Sequence, residues 1–415
     1  MKNKCPRSLF YTLISLFALF FWSPLQGQQK VLFDATKAET ANNADWVIDA
    51  DQFNLGYPNG RPQTNKGKEA NAQRFPTPDQ SHITASTKES YWTGALSAWG
   101  VDLVKKGFAV ETLPYNGKIT YGSTSNPQDL SNYAVFVVDE PNIQFTAAEK
   151  TAILQFVYHG GGLFMISDHN QSDRNGDGID SPSIWNDLMQ NNSFQKNPFG
   201  ITFDLENFSD KTENIPHLPG DPLLHGPMGD VTRVEFYNGT SMTLNTAANA
   251  SVKGVVYHSG SGFGSKNVMV AYAEFGKGKV VALGDSSPAD DGSGDRNDRL
   301  YDGWIEDANG NHERLIMNGT LWLAKGQTTA VQNITAHKKL IQLKNNQHGL
   351  TVSIQSTTDY PDNYLQIYNL SGQKIRLLKN LQPQQSYYLQ LPSKGIFIYR
   401  FCDVRQTLDW GKFYF

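Results

Sequence analysis

The residues best placed to do chemistry lie between Ser167 and Asp180, in SDHNQSDRNGDGID. Asp173, Asn175, Asp177 and Asp180 form D-x-N-x-D-G-x-D, with oxygen donors on alternate residues and Gly178 where a loop must turn around an ion. Hard oxygen ligands at this spacing suit calcium, with Ile179 offering a backbone carbonyl. An EF-hand would carry Glu at the twelfth position, which here is Ile184, so the pattern predicts a shorter calcium-type loop. Two carboxylates held ~4 Å apart repel by about 4 kcal/mol at an effective dielectric of ~20, and a cation removes that cost. The other reading is a solvated Asp/Gly loop with its acids splayed apart.

Asp168 and His169 stand just before this loop. As a general acid–base pair, or around a metal-held water, they would suit hydrolysis. Equally, Asp168 would cap backbone amides or join the calcium shell while His169 packs under Trp185. Asp285 heads an echo of the pattern, with Asp290, Asp291, Asp295 and Asp298 at looser spacing that reads as a solvated turn or a second cation site. His217, His225 and His312 are scattered and show no ligand spacing.

The elements that position these groups are legible from periodicity. Leu163–Ile166 is an apolar run after three glycines, the pattern of a strand buried on both faces. Val31–Asp34, Phe108–Leu113, Tyr133–Val138 and Val280–Leu283 read likewise. Ser86 and Glu89 form a capping box ahead of Trp92, Leu96, Trp99 and Leu103, which predicts an amphipathic helix stopping at Gly107. Thr146 and Glu149 form a second, ahead of Ile153, Leu154 and Val157. Asn191–Gly229 reads as loop, and Val231–Tyr237, Gly254–His258 and Val268–Phe275 as further strands. A last helix carries Leu315, Ile316, Trp322 and Leu323.

This order predicts an α/β fold, a mostly parallel sheet with helices on both faces. Ligands then bind at the carboxyl ends of the strands, where Asp34, Asp139 and Asp168 fall. The Asn-, Gly- and Pro-rich stretch 45–81 is a long excursion that would serve as a lid or lie in solvent.

With 415 residues the chain has room for a large domain and a small one. Lys2, Lys4 and Arg7, the apolar run Leu9–Trp22 and the break at Pro24–Gly27 predict a signal peptide over 1–27 and no membrane span in the mature chain. Losing those three cations leaves 33 basic against 40 acidic residues, a net charge of −7 that disfavours nucleic acid as a partner. Cys5 leaves with the signal and Cys402 stays alone, so no internal disulfide forms.

VLFDATKAE, VFVVDEP, FTAAEKTAILQFVYHGGGLFMIS and GKGKVVALGDSS together resemble the class I glutamine amidotransferase-like fold. The nearest branch is the one that includes gliding-motility and intraflagellar-transport domains. The resemblance implies a flavodoxin-like arrangement over 28–325 and, in catalytic members, a nucleophilic cysteine after the glycine-preceded strand. Ser167, Asp168 and His169 fill that turn here, and the domain holds no cysteine, so the family's thiol chemistry is excluded.

After a linker at 326–334, LQIYNLSGQKIRLL, LPSKGIFIYRF and GKFYF resemble the β-sandwich sorting domain of the type IX secretion system in Bacteroidetes, over 335–415. CDVRQTLDW departs from that pattern. The resemblance implies export through the periplasm to the exterior or the outer-membrane surface, with the secretion machinery as partner. Two functions follow as expectations: a calcium-stabilised surface module binding a glycan, a peptide or a small molecule, or an extracellular metal-assisted hydrolase using Asp168, His169 and Asp285.

Overall fold

The computed structural model describes residues 28–41, 44–50, 78–294, 301–306, 309–325, 340–346, 349–355, 360, 362–369, 374–391, 394–403 and 407–415. Residues 1–27, read as a signal peptide, most of the 45–81 excursion, Asp295, Asp298 and residues 326–334, read as a linker, lie outside the described residues. The chain divides into two compact units, Met1–Ala330 and Val331–Phe415.

The first unit is built on nine strands: β1 (Lys30–Asp34), β2 (Ala109–Leu113), β3 (Val135–Asp139), β4 (Gly162–Ile166), β5 (Ile201–Phe203), β8 (Met242–Leu244), β9 (Lys253–Tyr257), β10 (Val268–Phe275) and β11 (Gly278–Leu283). A separate hairpin joins β6 (Phe208–Thr212) to β7 (Val234–Gly239). The sheet order is β2-β1-β3-β4-β11-β10-β8-β5, with β9 also on β10. The strands from β2 to β11 run parallel, and β10, β8, β5 and β9 extend the sheet antiparallel. All five residues of β3 and of β4 are buried, as strands covered on both faces require.

The helices are α1 (Ser97–Lys105), α2 (Ala147–Tyr158), α3 (Ser181–Gln190) and α4 (Asn311–Ala324). Two apolar clusters form, one holding Trp99, Phe33 and Leu315, the other Ile153, Phe136 and Trp185. Alternate residues of β1 and β3 enter different clusters, which is the signature of a sheet covered on both sides. At Gly162 an added Cβ would meet Leu323 Cβ at 2.7 Å, so the glycine lets α4 close onto β4.

Two expectations need correction. The Ser86/Glu89 capping box does not form, because residues 89–91 make a 3-10 turn and α1 begins only at Ser97, with no side-chain cap. Its apolar residues Trp92 and Leu96 are buried as extended and turn segments, since tertiary packing overrides the helical period there. Asn191–Gly229 is not wholly loop: it contains β5 and β6, whose short length hid them. Thr146 does cap α2, with Glu149 closing the box.

The second unit is antiparallel. One sheet pairs Ile341–Asn346, Gly349–Ile354 and Ser386–Leu389; the other pairs Lys374–Lys379, Tyr364–Asn369, Ile396–Cys402 and Thr407–Tyr414. Val352 and Ile354 from one and Ile367 and Phe401 from the other share a core, which makes a β-sandwich. Cys402 is buried within it and forms no disulfide among the described residues.

Candidate functional site at the carboxyl edge

Asp34, Asp139, Asp168 and Asp285 each stand at or just beyond the carboxyl end of a parallel strand, and each is buried. The strand order β2-β1-β3-β4 reverses between β1 and β3, so the topological crevice opens between Asp34 and Asp139. That place is filled by the chain itself. From the end of β1, Ala35 N donates to Leu113 O at 2.9 Å, Asn142 Nδ2 donates to Ala38 O at 2.9 Å, and Trp46 Nε1 donates to Glu140 Oε2 at 2.9 Å. Trp46, Val47 and Ile48 are buried there.

The acids beyond β3 and β4 are joined by Arg174. Its Nε donates to Glu140 Oε1 at 2.8 Å and its NH2 group to Asp168 Oδ2 at 2.6 Å. Asp168 Oδ1 accepts the His169 amide at 2.7 Å. Glu140 also accepts the Ser286 hydroxyl at 3.0 Å, so one carboxylate ties the turns after β3, β4 and β11 and the segment holding Trp46. Glu140 has φ of +49°, a left-handed conformation costly for a non-glycine residue that persists only where its surroundings enforce it. Ser167 and Asp168, at the turn where a nucleophile would stand, do not share this conformation.

Burial dominates the electrostatics. It pushes Glu140 up to about 8 against the pull of Arg174, with Asp168 adding to the rise. Burial likewise lifts Asp168 to about 6, Arg174 opposing. Asp285 rises through burial to about 7, although its carboxylate accepts the Ser287 amide at 2.9 Å and the Tyr237 amide. Asp139 is raised well above the usual range by burial and by Glu140, Asp168, Asp285 and Asp290, and both of its oxygens are buried without a hydrogen-bond partner. A carboxyl in that setting is held neutral.

Asp168 and Asp285 therefore share one electrostatic environment, while Asp34 belongs to a separate set with Lys37 and Glu39. His169 is at the rim. Its Nδ1 lies 2.6 Å from Asn170 O and 3.1 Å from Asn207 Nδ2. Its Nε2 is 3.9 Å from Asp168 Oδ2, beyond hydrogen-bonding reach.

The loop read as calcium-type closes on its own backbone. Asp173 accepts the amides of Gly176 at 2.6 Å, Asp177 at 3.1 Å and Gly178 at 2.9 Å. Asn175 donates to Asn142 O at 2.5 Å, and Asp177 Oδ1 accepts the Ile179 amide at 2.9 Å. Asp180 is the N-cap of α3, accepting from Ser183 N at 3.0 Å and from Gln171 N at 2.8 Å. Ile179 packs against the apolar cluster that contains Trp185. Among the described residues no group of three or more His, Cys, Asp or Glu side chains is arranged to hold a metal ion. Asp173 and Asp177 are thus engaged with amides of the loop itself, while Asn175 and Asp180 tie it to Asn142 and to the start of α3.

Sequence reasoning passed over Arg174, Glu140 and Trp46. For Arg174 a signal existed, since it is the one cation between Asp168 and Asp180. Glu140 and Trp46 gave none that periodicity or motif would isolate. Asp290, read as solvated, is buried and accepts the amides of Gly292 and Tyr301 at 3.0 Å each, while Asp291 is half-buried and accepts the Ala98 amide at 2.5 Å. His312 is a core residue whose Nε2 accepts the Glu235 amide at 2.9 Å.

The sequence matches no family profile and no curated protein. Among solved structures the chain is similar to the mmIFT52 N-terminal domain, at 14% identity over 59% of this chain and 97% of that one, with a TM-score of 0.39. A cytoplasmic protein, STM3548 from Salmonella typhimurium, shares 13% identity over 55% and 86%, with a TM-score of 0.34. A ThuA-like protein from Parabacteroides merdae shares 10% identity over 72% and 91%, with a TM-score of 0.33. These likenesses to amidotransferase-like structures are weak, and the fold stands on the strand order itself.

Proposed function

We propose that the mature chain is a binding module of the cell exterior, exported by type IX secretion, which engages a glycan or peptide at the carboxyl edge beside Asp168 and Asp285. The observation that carries this reading is Arg174, inserted between Glu140 and Asp168 so that neither acid is free for proton transfer. Asp285 is bound by two backbone amides. The rim nearby presents what a partner needs. Leu205 and Tyr237 are 57% and 55% exposed, and Tyr237 stacks on Tyr301 with ring centroids 5.3 Å apart. Aromatic rings with one wet edge suit sugar or peptide recognition. Binding is measured on glycan and peptide arrays with the secreted chain; Tyr237→Ala removes the bound ligand while His169→Ala does not. A module that binds no glycan and no peptide removes the proposal.

A metal-assisted hydrolase is the second reading, favoured by His169 at the rim with its Nε2 3.9 Å from Asp168 Oδ2. Its test is a panel of glycan, ester and phosphoester substrates with added divalent cations. Turnover that His169→Ala abolishes establishes it and displaces the first reading.

Calcium at Asp173, Asn175, Asp177, Ile179 and Asp180 has its own test. A carboxylate that accepts an amide keeps lone pairs for a cation, so the bonds that close the loop are compatible with an ion. The expected result is a melting temperature that a chelator lowers, an effect that Asp177→Ala abolishes, and an identical melting curve with and without chelator removes the cation from the loop.

A further inference from the structure

The stretches 35–41 and 44–50 occupy the switch-point crevice, and their attachment contains an unusual pair. Asp34 and Glu39 are both buried, at 2% and 2% exposure. Asp34 Oδ1 accepts the Thr36 amide at 3.1 Å, and Glu39 Oε2 accepts the Lys37 amide at 2.9 Å. The other oxygen of each, Asp34 Oδ2 and Glu39 Oε1, is buried with no donor. Because the amides of Thr36 and Lys37 are neighbours along the backbone, the two carboxylates that accept them are brought side by side. Two ionised carboxylates have no hydrogen to share, whereas one proton between them satisfies both orphan oxygens.

The surrounding charges do not replace that proton. Lys37 faces the pair, but its ammonium donates to Glu149 Oε1 at 2.7 Å on α2. Asp45, whose backbone pairs with Thr40, is another buried acid of the same segment. Burial raises Asp34 and lifts Glu39 well above the ordinary range, with the Asp34 charge adding to the latter.

We propose that the stretches 35–41 and 44–50 are a built-in occupant of the crevice between β1 and β3, latched by a single proton shared between Asp34 and Glu39. Loss of that proton at alkaline pH sets two buried carboxylates against each other and loosens the segment that carries Trp46 onto Glu140. The latch lies in the β1–β3 half of the edge, apart from the rim beside Asp168 and Asp285, so it stands or falls separately from the binding proposal.

The test is hydrogen exchange on the full mature chain, read in peptides covering 35–41 and 44–50 and normalised to α2, at pH 6 and pH 9 after correction for intrinsic exchange. In the wild type, protection of 35–50 relative to α2 falls at least ten-fold between the two. Glu39→Gln, whose amide donates to Asp34 without needing a shared proton, keeps its protection at pH 9. Should that variant fold poorly, Asp34→Asn offers the same donor from the other side. Wild-type protection that does not change with pH, or variants that lose protection in parallel with the wild type, overturns the latch.

Discussion

At the scale of the residue, Arg174 supplies the positive charge between Glu140 and Asp168. Acids gathered at strand ends need a positive charge, and the chain supplies its own from within the acidic stretch. Removing it leaves Glu140 and Asp168 buried without a counter-charge, a situation that costs roughly 3–5 kcal/mol. Arg174→Met is accordingly expected to lower unfolding free energy by that amount at pH 8, measured by denaturant titration. The deficit shrinks near pH 5, where both acids take up protons, given values of about 8 and about 6 in the folded chain. Arg174→Lys does not restore the loss, because an ammonium cannot reach both carboxylates with a planar fork.

At the scale of the element, α2 is the best-specified piece. Thr146 and Glu149 cap it in reciprocal fashion, and Glu149 Oε1 also holds Lys37 in the segment that fills the crevice. Thr146→Ala is expected to cost about 1 kcal/mol, the usual worth of an N-cap. Glu149→Ala costs more, since it frees the helix end and Lys37 together, and thermal melts of the two variants side by side measure the difference. The capping box was readable because its chemistry is local. The start of α1 was not, because Trp92 and Leu96 satisfy a helical period in sequence but are claimed by contacts far along the chain.

At the scale of the whole molecule, the acids of the edge give the fold a definite pH dependence. Glu140, Asp168 and Asp285 have folded values of about 8, 6 and 7, all above their ordinary range. The folded state thus holds more protons than the unfolded one, and stability falls as pH rises wherever that is so. The contribution is complete below about pH 4, where both states are protonated, and is lost progressively up to about pH 8. Melting temperatures from pH 4.5 to 8.5 at constant ionic strength are expected to decline, and a profile rising across that window would contradict the burial of these groups.

The sequence alone determined the elements whose information is local: the buried strands, the Thr146/Glu149 cap, the last helix, and the α/β class that follows from their order. It also located the aspartates at strand ends, because a strand's end is marked by where its apolar run stops. Only the tertiary structure decided what those aspartates do. Whether Arg174 faces solvent or two carboxylates, and whether 35–41 and 44–50 leave the crevice open or fill it, depends on which groups meet: Arg174 finds Glu140 across 34 residues, and Trp46 finds it across 94. Such encounters are set by packing and desolvation, and neither residue type nor spacing encodes them one position at a time.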